Sequence, residues 1–268
     1  MKARRVSLSH RLLAMLPDSQ LLYRACKRYC DYFNSENDDD MATNGELRFM
    51  RSVLPRCVTV FDVGANVGDW TGLALSTPNL GLTIHCFEPS AATFQRLLAR
   101  KFPPNVTRNN FGMSSAAGEM TLHVFENGSG INSLYWRTGL EDGWGLETQQ
   151  REETVRLETI DSYCRQHSVQ TIDFLKVDVE GHELEVFKGA SEMLALGSIK
   201  RIQFEYGGCN IDSRVLLKDF FEFFAPFSYK FYKIYPRKLR RAARYDQRFE
   251  NFHYANWAVI QNGVEVGT

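Results

Sequence analysis

No run of apolar residues in this sequence approaches membrane-spanning length, which sets aside a fold built on transmembrane helices. The six cysteines, Cys26, Cys30, Cys57, Cys86, Cys164 and Cys209, form no C-x-x-C pair and no Cys/His cluster of zinc-ligand spacing. They predict neither a zinc site nor a disulfide framework, and a reduced, cytoplasmic setting is expected. Cys57 and Cys86 fall in or beside strand-like runs and read as small hydrophobes. Net charge is absent as well: 32 Lys and Arg balance 32 Asp and Glu, so the whole chain has no polyanion-binding signature. The first residues, MKARRVSLSHRLLAML, start basic, but His10 and Arg11 interrupt the apolar stretch that a secretory signal needs. There is no internal repeat and no low-complexity tract.

What is present is the composition of a globular protein, with 44% apolar and 24% charged residues over a length of 268. Residues 7–33 predict one or two amphipathic helices, with Leu12, Leu13, Met15, Leu16, Leu21, Leu22 and Tyr23 on apolar faces and a break at Pro17-Asp18. The acidic run Glu36–Asp40 reads as a solvated linker. Residues 1–45 are thus expected to form a helical N-terminal extension, packed on the main domain or capping its active site, with residues 46–268 as that domain.

From residue 46 the pattern alternates. Strands are predicted at Val58–Val63, Leu82–Phe87, Asn105–Asn109, Asp173–Val179, Ile199–Tyr206, Tyr229–Tyr235 and Tyr254–Gln261. Helices are predicted at Asp69–Ser76, Ala91–Phe102, Glu183–Leu196 and Arg214–Phe224. Residues 112–160 read as an inserted hairpin or loop. Strands separated by helices imply βαβ units and an α/β, Rossmann-like, mostly parallel seven-stranded sheet. No helix separates the last two strands, so an antiparallel pairing at one edge is expected.

The strongest local signal is VTVFDVGANVGDWTGLALS: a strand ending in Asp62, then Gly64, Ala65, Asn66 and Gly68, then a helix. Glycines let the backbone turn tightly and approach a ligand. The turn should also deliver free N–H groups at a helix start. G-A-N-V-G departs from the G-x-G-x-x-G spacing of pyrophosphate binders. It fits the D-x-G-x-x-x-G turn that receives the amino acid end of S-adenosylmethionine. Glu88 closes the second strand, where an acid accepts ribose hydroxyls.

In IDFLKVDVEGHELEVFKGA, the strand end presents Asp178, Glu180 and His182 beside the switch point of the sheet. An alcohol acceptor needs a base, and Asp178, Glu180 and His182 are the candidates, although His182 reads as a surface residue at a helix start. Asp178 and Glu180 read equally well as turn-shaping residues. Glu205 ends the next strand and faces the same cleft. Only Asp178 and Glu205 are well placed for a divalent cation, too few oxygens for a hard ion, so no metal is expected.

With VFDVGANVGDWT, FEPS, GMSSAAG, SGINSL, DFLKVDVEGHELEVFKGA and FEY in this order over residues 58–206, the chain resembles the FkbM family of methyltransferases. The resemblance implies a class I methyltransferase fold, S-adenosylmethionine as cofactor and O-methylation of a sugar, glycan or secondary metabolite. It implies cofactor contacts at Asp62, Gly64, Ala65, Asn66, Gly68, Glu88, Gly112 and Asp178, and catalytic roles for Asp178, Glu180 and Glu205. The strand ending at Asp178 lacks the Asn/Asp-Pro-Pro-aromatic tetrapeptide of amino-methylating enzymes, which favours an oxygen acceptor.

Residues 229–248 hold eight Lys and Arg against one acid, Asp246, interleaved with Tyr and Phe. They read either as a solvated connection between strands or as a patch for an anionic partner, such as an acidic glycan, a phosphorylated sugar or RNA. Nucleic acid is the weaker expectation, since no RNA-binding module is visible. A non-catalytic scaffold on the same fold is the rival from another class.

Overall fold

The computed structural model describes residues 15, 18–125, 130–139 and 151–267. The expected helical stretch before residue 18, apart from residue 15, and residues 126–129 and 140–150 of the 112–160 insertion therefore lie outside the described residues.

The main sheet has eight strands: β1 (Thr59–Val63), β2 (Thr83–Phe87), β3 (Val106–Asn109), β7 (Phe174–Val177), β8 (Arg201–Tyr206), β9 (Tyr229–Tyr235), β10 (Lys238–Ala242) and β11 (Ala255–Gln261). Their spatial order is β10-β9-β11-β8-β7-β1-β2-β3. β1 pairs parallel with β2 and β7, β2 with β3, and β7 with β8. β11 runs antiparallel between β8 and β9, so the last two expected strands do pair. The chain winds outward through β1, β2 and β3, then returns to β7 on the other side of β1. That reversal opens a crevice at the C-terminal ends of β1 and β7.

An eighth strand lies beyond the seven expected. Lys238–Ala242 folds back on β9, with Lys238 opposite Tyr235 and Ala242 opposite Phe231. Its sequence, KLRRA, has no apolar alternation, because an edge strand packs only one partner and faces solvent.

Alternation along the central strands feeds two cores. Phe61 and Val63 of β1 and Leu175 and Val177 of β7 point to one side. There they meet α5 (Ile160–Gln166), α6 (Glu183–Lys188), α7 (Ser191–Ala195) and α9 (Leu217–Phe224). Val60 and Phe174 point to the other side, toward α2 (Glu46–Val53), α3 (Asp69–Leu75) and α4 (Ala91–Ala99). This is the period of two that a sheet covered on both faces requires. The single helix expected over Glu183–Leu196 is two: its chain turns at Gly189, where a Cβ would lie 2.0 Å from the Ser114 carbonyl oxygen. Helix α9 is shorter than expected at its start and follows a separate turn, α8 (Cys209–Ser213).

The insertion forms its own sheet rather than a simple hairpin. β5 (Gly118–Val124) and β6 (Arg151–Glu158) pair antiparallel, and β4 (Gly112–Met113) runs parallel beside β6. Leu122, Val124, Val155 and Leu157 make a small apolar cluster there, with Leu134 against it.

The N-terminal extension divides in two. Helix α1 (Gln20–Asn34) buries none of its residues. The linker does not stay solvated, because Glu36 is buried with Lys233 at 2.6 Å, Asn251 Nδ2 at 3.0 Å and His253 Nδ1 at 3.1 Å. Burial opposes its charge, but these partners, Lys233 first among them, hold its pKa below the usual carboxylate value. Cys57, Cys86, Cys164 and Cys209 are buried free thiols, as small hydrophobes are, while Cys26 and Cys30 are exposed on α1.

Candidate active site

The glycine turn takes the geometry that its sequence demands. Gly64 (φ +79°), Asn66 (φ +48°) and Gly68 (φ +85°) are all left-handed. A Cβ on Gly64 would sit 1.7 Å from the carbonyl oxygen of Asp178. Gly64 is thus bare so that β1 and β7 can end side by side, a reason different from clearance for a ligand.

The turn's amides are mostly spoken for. Gly64 and Ala65 both donate to the Phe87 carbonyl at 3.0 Å, and Gly68 donates to Ala65 at 2.8 Å. Asn66 N–H donates to Glu88 Oε2 at 3.0 Å, and Ser90 N–H to Glu88 Oε1 at 2.9 Å. The expected free N–H cradle is therefore largely internal. Its product is an oriented Glu88 carboxylate, each oxygen of which keeps lone-pair capacity. Burial raises the Glu88 pKa to about 7 despite these two donors.

Glu88 lines a cleft of about 700 Å³ together with Gly64, Asn66, Gly112, Asp178 and Glu180. Asp62, Ala65 and Gly68 do not line it. Asp62 lies wholly buried behind the turn, accepting from Thr71 Oγ1 at 2.6 Å, with Lys176 Nζ at 3.6 Å. Gly68 opens α3 against Leu97 and Phe102. Sequence reasoning missed the apolar wall of Met113, Leu122, Leu134 and Leu157, since an inserted hairpin or loop, as expected over 112–160, does not show which of its side chains face the cleft. An apolar wall facing one well-oriented carboxylate suits a nucleoside, the ring against the wall and the diol on Glu88. The cleft thus fits the expected cofactor.

His182 corrects its expected place. It is 3% exposed and bonded at both ring nitrogens, Nε2 to Ser114 Oγ and Nδ1 to Tyr135 Oη, each at 2.9 Å. Burial lowers its pKa to about 4, so it is a neutral support of the cleft wall.

A second, open cleft of about 1790 Å³ adjoins the first, and Asp178, Glu180 and Gly130 belong to both. Glu205, Asp212, Phe252 and Tyr254 line it from beyond. Asp178 is held by Lys176 Nζ at 3.0 Å. Burial opposes the charge of Lys176, but Asp178, Asp62 and Glu46 outweigh it and raise its pKa. Glu180 has φ +54°, rare for a side-chain-bearing residue and found where a site over-determines the backbone. Its carboxylate pairs with Arg137 at 2.7 Å, and Arg137 also reaches Asp212 at 3.2 Å. Its carbonyl accepts from Ser133 Oγ at 2.7 Å. Glu183 accepts the Val179 and Gly181 amides at 3.1 Å, so turn-shaping falls largely to a residue the sequence did not single out.

Asp178, Glu180 and Glu205 bring carboxylate oxygens within 4.8 Å of one another, so Glu180 joins the two acids, Asp178 and Glu205, that the sequence places well for a cation. Burial, then Asp178, raises the Glu180 pKa to about 8 and that of Glu205 well above the carboxylate range. Burial and the neighbouring acids thus favour the protonated forms of Glu180 and Glu205.

The strand order, with a reversal at β1/β7, an acid after β2 and an apolar-walled cleft at the strand ends, defines a Rossmann-like class I methyltransferase domain. Residues 62–229 match the Methyltransferase FkbM domain, and the chain belongs to the FkbM methyltransferase family, whose cofactor is S-adenosylmethionine. Hexuronic acid methyltransferase AglP of Haloferax volcanii is 29% identical over 140 residues, 50% of this chain and 51% of that protein. Methyltransferase sdnD of Sordaria araneosa is 29% identical over 164 residues, 52% of this chain and 62% of that protein. The chain thus spans about half the length of the first of these relatives. The crystal structure of an FkbM methyltransferase from Methylobacillus flagellatus superposes with a TM-score of 0.45 at 14% identity, over 75% of this chain and 43% of that one.

Proposed function

We propose that this protein methylates a hydroxyl oxygen on a sugar or another polyhydroxylated small molecule. The observation that carries this reading is the shared wall, Asp178 and Glu180, common to the cleft that holds Glu88 and the open cleft beside it. Acidic groups at that junction are where an alcohol must lose its proton. The polar lining of the open cleft, with Phe252 and Tyr254, suits a sugar's hydroxyls and its apolar face.

S-adenosylmethionine supplies a methyl already activated on a sulfonium. The chain's residues then have two tasks, alignment and proton removal. Glu88 accepts the ribose hydroxyls, and Gly64, Asn66 and Gly112 shape the floor of the cleft. Asp178, paired with Lys176, accepts a hydrogen bond from the acceptor hydroxyl and orients it. Glu180 is placed to take the hydroxyl proton, while the S–CH3 bond that breaks would leave its electron pair on the cofactor's sulfur as a neutral thioether. The Glu180 pKa of about 8, raised by burial and Asp178, suits a base working near neutrality.

None of the described residues in 229–248 lines the open cleft, so the RNA reading finds no support at the acceptor. The test is a panel of sugars, nucleotide-linked sugars, phenols and amines incubated with methyl-labelled S-adenosylmethionine. Label in a methyl ether is expected. Label on nitrogen or carbon alone, or none anywhere from protein shown by calorimetry to bind the cofactor, rejects the reading.

A further inference from the structure

Two features stay outside the catalytic reading, and they adjoin one another. The first is α1. Its sequence, QLLYRACKRYCDYFN, places Leu21, Leu22, Tyr29, Tyr32 and Phe33 on one broad arc and Arg24, Lys27 and Arg28 on the other. Globular proteins bury such an arc, yet here Leu21 is 81% exposed, Tyr29 67%, Tyr32 70% and Phe33 62%. Contiguous uncovered apolar surface of this kind marks an interaction site.

The second is the basic hairpin. Lys233, Arg240, Arg241, Arg244 and Arg248 line a groove of about 1100 Å³, and its rim includes Asn34, the last residue of α1. Arg237, Lys238, Arg240, Arg241 and Arg244 make no ion pair among the described residues. Charges on β10 keep an edge strand from pairing with other chains, which accounts for some of them. It does not account for an uncovered aromatic helix beside them.

We propose that α1 and the adjoining basic groove form a docking surface for an anionic lipid membrane, with α1 lying in the interface. The charge distribution selects this occupant. Residues 1–34 hold seven Lys and Arg against two acids, while the rest of the chain holds 25 against 30. A basic face opposite Tyr, Phe and Leu is the composition of an in-plane interfacial helix. Its length of about 22 Å is set by 15 residues at about 1.5 Å each. A second copy of this chain would set one strongly basic block against another, whereas anionic headgroups neutralise it. Among the described residues no helix is long and apolar enough to cross a membrane, so the helix rests on the surface.

This inference is independent of the methyl acceptor. The test is co-sedimentation of the full chain with vesicles of phosphatidylcholine alone and of phosphatidylcholine mixed with phosphatidylglycerol. Binding to the mixed vesicles is expected to be at least about tenfold stronger, since each surface cation adds about 1 kcal/mol, and to weaken with salt. The doubly substituted Tyr29→Glu/Phe33→Glu chain is expected to lose binding and Arg240→Glu/Arg241→Glu to weaken it, with thermal melting confirming that each folds. Should one of them fail to fold, the unaltered chain on the two vesicle types decides alone. Equal binding to both compositions, or none, overturns the proposal. So does self-association in the ultracentrifuge that Tyr29→Glu/Phe33→Glu abolishes, which would make a second copy the occupant.

Discussion

The ammonium of Lys176 stands between two carboxylates, 3.0 Å from Asp178 and 3.6 Å from Asp62. One is at the mouth of the cleft, the other fully buried behind the glycine turn. A single lysine therefore ties the reacting edge of the sheet to its interior. Glu46, in the first turn of α2, joins the same field and bonds Gln203.

Lys176→Met is expected to destabilise the fold by about 3–5 kcal/mol, because it leaves Asp62 buried without a countercharge. Urea denaturation measures this. Asp62→Asn in the Lys176→Met background should recover part of the loss, and an equally unstable double variant would show that the charge pair is not the cause.

Glu180→Gln should lower kcat by about 10²–10⁴-fold, the usual contribution of a general base. Calorimetric affinity for S-adenosylmethionine should stay within about threefold, since this side chain meets Arg137 rather than the oriented Glu88 carboxylate. Near-normal turnover would remove Glu180 from the base role and leave Asp178, for which Asp178→Asn is the matching test.

The pH profile of kcat follows from the same group. Burial, helped by Asp178, lifts the Glu180 pKa to about 8, and a base acts only when deprotonated. Turnover should therefore rise with pH and level off above about 8, and fall as protonation fills the site below it. Turnover that is flat between pH 6 and 9 (roughly the range this base would span) contradicts the assignment.

Glu88→Ala should weaken S-adenosylmethionine binding by about 10–100-fold, corresponding to the loss of one charge-assisted hydrogen bond of about 1.5–3 kcal/mol. Isothermal titration reads it directly. Unchanged affinity would displace the ribose from this carboxylate.

The architecture was legible where the chemistry is local. The β-branched run before Gly64, the acid after β2 and the KVDVEG block specify strand ends, and strand ends are where a doubly wound sheet places its cleft. Less legible were contacts made across the fold. Gly64 reads as clearance for a ligand in one dimension, whereas in three its missing side chain admits the Asp178 carbonyl. His182 looks like a surface residue because the partners that bury it, Ser114 and Tyr135, come from the insertion. Lys176 sits mid-strand among apolar neighbours, and nothing in its local sequence announces three carboxylates around it. The strand β10 lacks alternation for the physical reason that it has one neighbour.

Asn34 rims the basic groove, and Asn37 and Asp39 rim the open cleft. Five residues of chain reach on the order of 17 Å at most. Whatever grips the helix therefore keeps the mouth of the cleft on a short leash, and a molecule presented from that side needs only a local search to find it.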